Sequence, residues 1–125
     1  MTDRMRRVNE ALREVVSQEL GSLKDPGLGF VTVTEVRASP DLAHATVYVS
    51  VLGSERRREK SLAALERAHG VLQQEVNRQL HLKRTPRLVF EYDRTAERAA
   101  RLSRLLDELD HHRRDEDDRE GDREA

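Results

Sequence analysis

Residues 62–76 read Leu62-Ala63-Ala64-Leu65-Glu66-Arg67-Ala68-His69-Gly70-Val71-Leu72-Gln73-Gln74-Glu75-Val76. Leu62, Leu65, Leu72 and Val76, with Leu80 further on, recur at the spacing of one helical face. Gly70 interrupts that face near its middle, where a glycine costs about 1 kcal/mol relative to alanine. Two readings follow. Either the helix bends at Gly70 into two segments, or one long helix tolerates the glycine for a local packing reason. His69 falls on the stripe and reads as a packed or half-buried histidine.

On the N-terminal side the period changes. Phe30 to Val36 is rich in β-branched residues and predicts a strand. Ser39-Pro40-Asp41 is a turn signal. A second strand is expected from about His44 to Val51, with Ala45, Val47, Val49 and Val51 on the buried face and Thr46, Tyr48 and Ser50 on the other. Before both, residues 4–23 carry Val8, Ala11, Leu12, Val15, Val16, Leu20 and Leu23 along one helical face. Asp3 stands where an N-cap belongs, and Asp25-Pro26-Gly27 ends the segment. On the C-terminal side, Arg87 to Tyr92 predicts a third strand. Ala99, Leu102, Leu105, Leu106 and Leu109 predict a last helix over about 96–109. Beyond Asp110 there is neither period nor apolar content. The expected division is therefore a body over 1–95, an extra helix over 96–109 and a disordered acidic tail over 110–125. Helix, strand, strand, kinked helix and strand make a two-layer α+β domain, with helices on one face of a small mixed sheet.

Composition narrows the function. At 125 residues, with 36% hydrophobic and 38% charged side chains, one modest core is all the chain can build. Cysteine is absent, which removes disulfides and thiolate metal sites and fits the cytoplasm. No apolar run is long enough to span a membrane. The five histidines are scattered outside any ligand spacing, and no P-loop, GxSxG or GxGxxG occurs. The carboxylates are interleaved with arginine as on a solvated helix face. No enzyme, cofactor, metal or small-molecule substrate is expected.

The formal net charge of −1 conceals segregation. Residues 110–125 hold eight acidic and four basic side chains, and residues 1–109 hold 16 acidic and 19 basic. A mildly basic body suits an anionic partner; the tail reads as an aid to solubility or to release. The basic residues come in clusters: Arg4, Arg6 and Arg7; Arg56, Arg57, Arg58 and Lys60; Lys83, Arg84 and Arg87, with Arg78 upstream. The first two open helices, where cations oppose the helix dipole, so their placement suggests use on a polyanion. For the 56–60 run a solvated arginine-rich surface is an equal reading. A bend near Gly70 would expose backbone N–H groups that favour a phosphate.

These segments, taken in order, resemble the ribosome-binding factor A family from about Arg4 to Asp93. The carriers are Arg4-x-x-Arg7-Val8, Asp25-Pro26-Gly27-Leu28-Gly29 with its Thr-Val-Thr strand, and Ser39-Pro40-Asp41 through Val51. Ala68-His69-Gly70 resembles the family's Ala-x-Gly kink, which replaces the Gly-x-x-Gly loop of KH domains. Pro86 to Asp93 resembles its closing strand. The resemblance implies a type II KH-like fold. It implies a monomeric late assembly factor that binds 16S rRNA on the free small ribosomal subunit, aids 5′-end processing of the rRNA precursor, and leaves before translation. The implied RNA-binding residues are Arg4, Arg7, Ala68, His69, Gly70, Arg78, Lys83, Arg84 and Arg87. Gln73 and Gln74 depart from the family's usual arginines, and Lys83 stands where arginine is usual. The rival readings are a general KH-type RNA chaperone and a protein-interaction module acting through the C-terminal helix and tail.

Overall fold

In β2 (His44–Val51), Ala45, Val47, Val49 and Val51 are buried and the residues between them are half-buried or exposed. This strand is the centre of a three-stranded sheet, antiparallel to β1 (Val31–Ala38) and parallel to β3 (Arg87–Tyr92). The computed structural model describes the backbone of residues 2–124 and the side chains of residues 2–117. Helix α1 (Asp3–Leu20) precedes the hairpin. Helices α2 (Glu55–Arg67) and α3 (His69–Gln79) form the crossover from β2 to β3, and α4 (Thr95–Glu124) follows. The chain divides into two units, one ending at Asp93 and the other beginning at Arg94.

The first unit is the expected two-layer α+β domain. Its core joins Leu12, Val15, Val16 and Leu20 of α1, Leu65 of α2, and Leu72 and Val76 of α3 to the inward residues of all three strands. Burial of each such side chain contributes about 1.5–3 kcal/mol. Strand β1 alternates with a slip. Val33 pairs with Val49 and Glu35 with Tyr48, so Thr34 is an extra residue in a β-bulge. Val33 and Val36 are thereby both buried. Thr34 Oγ1 donates to Asp93 Oδ2 at 2.5 Å.

Local chemistry sets the element ends. Thr2, rather than Asp3, caps α1: its Oγ1 accepts from the Met5 N–H at 3.2 Å, while Asp3 lies in the first turn and complements the dipole there. Ser54 Oγ caps α2 by accepting from the Arg57 N–H. Gly53 makes the preceding turn with φ 118°, a conformation that a side chain rarely adopts. The turn at Asp25-Pro26-Gly27 is fixed by Asp25. Its Oδ1 accepts from the Gly27 N–H at 2.8 Å, and its two oxygens take Arg67 Nε and Nη2 at 3.0 Å each. Ser61, fully buried on α2, accepts from the Gly29 N–H.

Two helices close the sheet's edges. Asn9 Oδ1 of α1 accepts from the Ala38 N–H on the outer side of β1. On β3, Arg87 and Asp93 donate to carbonyls of Ala43 and Val49, so the intervening Leu88 amide points away from β2. Gln73 Oε1 accepts from that N–H at 2.9 Å, and Gln73 Nε2 donates to the Pro86 carbonyl at 2.9 Å. His69 Nε2 lies 2.9 Å from the Leu88 carbonyl, and its ring meets Phe90 edge-on.

The second unit is α4. It begins one residue before the expected helix and continues through 110–124, the segment expected to be disordered. Acid–base spacings of four residues, such as Asp110 to Arg114 and Arg113 to Asp117, supply local support there. Leu102, Leu105, Leu106 and Leu109 are exposed. No helix among the described residues is long and apolar enough to cross a membrane.

Two outcomes are expected. Gln73→Ala strands the Leu88 N–H and should cost about 1–3 kcal/mol in urea unfolding, with faster exchange of that amide, while Gln74→Ala at its exposed neighbour should stay within about 0.5 kcal/mol. Hydrogen bonding from Arg67 and then from the Gly27 N–H holds the Asp25 carboxyl below its ordinary 3.8. A depressed pKa stabilises the fold above the unfolded value and loses that contribution as pH falls through the folded one. Asp25→Asn should therefore lower the unfolding midpoint at pH 7, and the gap from the unaltered protein should narrow as the pH falls below the ordinary carboxylate range.

Candidate nucleic-acid interface

The helical stripe breaks two residues earlier than Gly70. Ala68 closes α2 and opens α3 with φ −85° and ψ 0°, the bridge conformation between two helices. Its N–H still donates to the Ala64 carbonyl, and its own carbonyl accepts from the Leu72 N–H. The two segments have different anchors on either side of this residue. Arg67 is tied to Asp25 and His69 to Leu88. Gly70 is thus the second residue of α3, in helical conformation and exposed. A Cβ built there meets nothing within 4 Å. Neither backbone conformation nor packing demands a glycine, and the space over the helix start is open.

Ala68 offers no side-chain cap, and the first turn of α3 contains no acidic residue. The positive end of this helix is therefore uncompensated by its own side chains. His69 is half-buried and committed to β3, so its ring is part of the scaffold. With a carbonyl as its partner, Nε2 carries the proton. Gln73 is likewise committed to the backbone of β3.

The predicted cations separate into two kinds. Arg78 is exposed but paired: its guanidinium meets Glu75 at 2.8 Å, and the same carboxylate accepts from Gln79. The Arg78 hydrogen bond and then that from Gln79 hold Glu75 below the usual carboxylate range. Arg4, Lys83 and Arg84 behave differently. The start of α1, the turn between β1 and β2, and the loop between α3 and β3 bring these three together around one open hollow of about 880 Å³. Arg7 is exposed one turn along α1, and Arg87 is exposed at the start of β3, opposite His44. Ion pairs among the described residues include Arg6–Asp3, Arg13–Glu10, Arg37–Glu35, Arg67–Asp25, Arg78–Glu75 and Arg94–Glu97, and none of these uses Arg4, Arg7, Lys83, Arg84 or Arg87. In the 56–60 run, Arg58 lies 3.9 Å over the Tyr92 ring and is partly structural, while Arg56, Arg57 and Lys60 are exposed.

Sequence reasoning missed the apolar floor of this hollow. Met5, Val8 and Leu42 supply it. Val8 had a helical period to mark it, but only as a core residue. Leu42 has φ 57°, the left-handed region that favours glycine, and nothing in its residue type announces that. The turn is held by Ser39 Oγ, which accepts from the N–H groups of Ala43 and His44, and by the Leu42 N–H donating to the Ser39 carbonyl.

The family model of ribosome-binding factor A matches residues 4–106. Ribosome-binding factor A of Geobacter metallireducens is 41% identical over 110 residues, covering 87% of this chain and 93% of that protein. The Halorhodospira halophila protein of the same name is 45% identical over 108 residues, covering 85% and 86%. Among solved structures, the crystal structure of ribosome-binding factor A from Thermus thermophilus aligns with a TM-score of 0.66 at 33% identity, over 73% of this chain and 97% of that one. A homology model of the Thermus thermophilus factor, fitted into the cryo-EM map of its complex with 30S, aligns with a TM-score of 0.56 at 36% identity over 66% of this chain and 88% of that one. The element order, the bend between α2 and α3 and the mixed sheet agree with these matches, and the chain belongs to the ribosome-binding factor A family.

Proposed function

We propose that this protein binds the small ribosomal subunit through its rRNA and acts as a non-enzymatic maturation factor. The observation that carries this reading is the match to the Thermus thermophilus factor fitted in complex with 30S. The distribution of charge supports it. Arg13, Arg37, Arg67 and Arg78 are neutralised by neighbouring carboxylates, whereas Arg4, Arg7, Lys83, Arg84 and Arg87 stand outside the ion pairs of the described residues. Fixed positive charge of this kind is what phosphate contacts require. The body up to about residue 95 is the binding domain in this reading.

Two features divide the work. The side chains of Arg4, Lys83, Arg84 and Arg87 hold phosphates at one end of the body. The start of α3, at His69 and Gly70, offers backbone amides to a further phosphate, with Gly70 leaving room for close approach, while the Ala68 N–H is spent on the Ala64 carbonyl. Arg78 contributes less, because Glu75 already neutralises it. Binding stabilises one conformation of the 16S rRNA during late maturation and its 5′-end processing. The protein acts as a monomer on the free subunit and makes or breaks no bond. The protein-interaction reading has one observation in its favour, the exposed leucines of α4, and this contact would be additional to the rRNA interface.

Sedimentation with purified small subunits at graded salt tests the electrostatic part. Affinity should fall as salt rises, and Lys83→Gln with Arg84→Gln should flatten the log–log slope by about 0.7–0.9 for each phosphate left without its cation. A slope that is flat for the unaltered protein, or a double variant with an unchanged slope, rejects it. Gly70→Ala tests the start of α3. It should raise folding stability by about 0.5–1 kcal/mol, because the site is helical and open, and should weaken subunit binding. Higher stability with unchanged binding would mean that no phosphate approaches there.

A further inference from the structure

The hollow between α1, the β1–β2 turn and the α3–β3 loop has two layers. Its rim is Arg4, Lys83 and Arg84, all exposed and outside the ion pairs of the described residues. Its floor is Met5, Val8 and Leu42, which are half-buried. Asp41 lines the hollow as well: its carboxylate accepts from the Ser39 hydroxyl at 2.7 Å and from the Ala43 N–H at 3.1 Å, keeps its charge and lies in the field of Arg84, so it offsets one of the three cations. The rim therefore presents net positive charge around an apolar surface. At about 880 Å³ the hollow is within the roughly 300–1,000 Å³ of pockets that take small ligands.

A phosphate site alone needs no apolar floor, and an apolar docking site alone needs no ring of cations. The combination fits a ligand with a flat, weakly polar body and anionic flanks. We infer that the hollow receives an unstacked nucleotide of the rRNA, with its base on Met5, Val8 and Leu42 and its flanking phosphates on Arg4, Lys83 and Arg84. Single-stranded loops and ends offer such bases, and recognition of RNA concentrates there. The inference rests on the rRNA-binding reading above and adds a second point of contact, distinct from the start of α3. An acidic, apolar peptide segment is the competing occupant; it would lack the alternation of base and phosphate that the rim and floor match.

Leu42 makes the test clean. Its left-handed backbone conformation costs about 1–2 kcal/mol for a residue with a Cβ, so Leu42→Gly relieves strain while removing part of the floor. The variant should keep an unfolding midpoint close to that of the unaltered protein and bind small subunits roughly tenfold more weakly, with an unchanged salt slope because every cation of the rim is still present. A diazirine-bearing leucine analogue in place of Leu42, irradiated in the complex with purified small subunits, identifies the occupant. The same analogue at exposed Val71, at the start of α3, serves as the companion probe. A crosslink from position 42 to an rRNA nucleotide, together with the weakened binding of Leu42→Gly, is the expected result. A crosslink to a ribosomal protein would overturn the inference in favour of the peptide. Crosslinks to rRNA from position 71 but not from 42, or undiminished binding by Leu42→Gly, would overturn it and leave the rRNA-binding reading intact. Failure of the unaltered protein to bind subunits at all would overturn both.

Discussion

An edge strand leaves every second amide and carbonyl without a sheet partner, and in β3 this requirement governs how the helical layer sits. Leu88 is the residue concerned, and α3 answers it twice, through Gln73 and through His69, one helical turn apart. Two such bonds fix the roll of α3 about its own axis. Gly70 and Val71, which lie between them in sequence, are consequently turned outward, and Val71 is 54% exposed. The contacts that complete the sheet thus also determine which side of the helix start is presented. Asn9 does the same for the far edge at Ala38, so both margins of the sheet are closed by side chains from the helical layer.

Charge on this body is sorted by use. Several carboxylates that lie near a guanidinium are taken up locally, as in Asp25 with Arg67 and Glu75 with Arg78. Exposed pairs of this type contribute little to stability, generally below about 1 kcal/mol. Their larger effect is on the field outside, because they cancel at short range. The cations of the proposed interface come from two distant stretches of sequence, at 4–7 and 83–87, and the fold gathers Arg4, Lys83 and Arg84 around one concavity. A net charge near zero for the whole chain is compatible with a strongly polarised binding end.

Much of this was legible in the sequence. The alternation in residues 44–51 placed β2 and its buried face correctly, and the stripe through residues 62–80 placed α2 and α3, because single-element periods depend only on local geometry. The pivot was misplaced from Ala68 to Gly70, since a glycine is visible as a cost while the bridge conformation of an alanine has no mark in residue type. Gln73 read as a departure at an RNA-contacting position, but its job is the edge of β3, a partner 15 residues away that no period reveals. The hollow was invisible for the same reason. It exists only once residues 4, 42 and 84 are neighbours.

The bulge in β1 did leave a trace. Apolar residues stand at 31 and 33, then at 36 and 38, so the phase of the strand slips by one between its halves. Thr34 is the residue that absorbs the slip. With it removed, the strand would alternate without interruption and the same valines would still face inward, so burial gives no reason to keep it. What Thr34 adds is reach: its hydroxyl crosses to the carboxylate of Asp93, whose own N–H is held by Val49. The supernumerary threonine is a tether on the last residue of the body, and a chain one residue shorter at this point would retain its core and lose its hold on the place where the sheet ends.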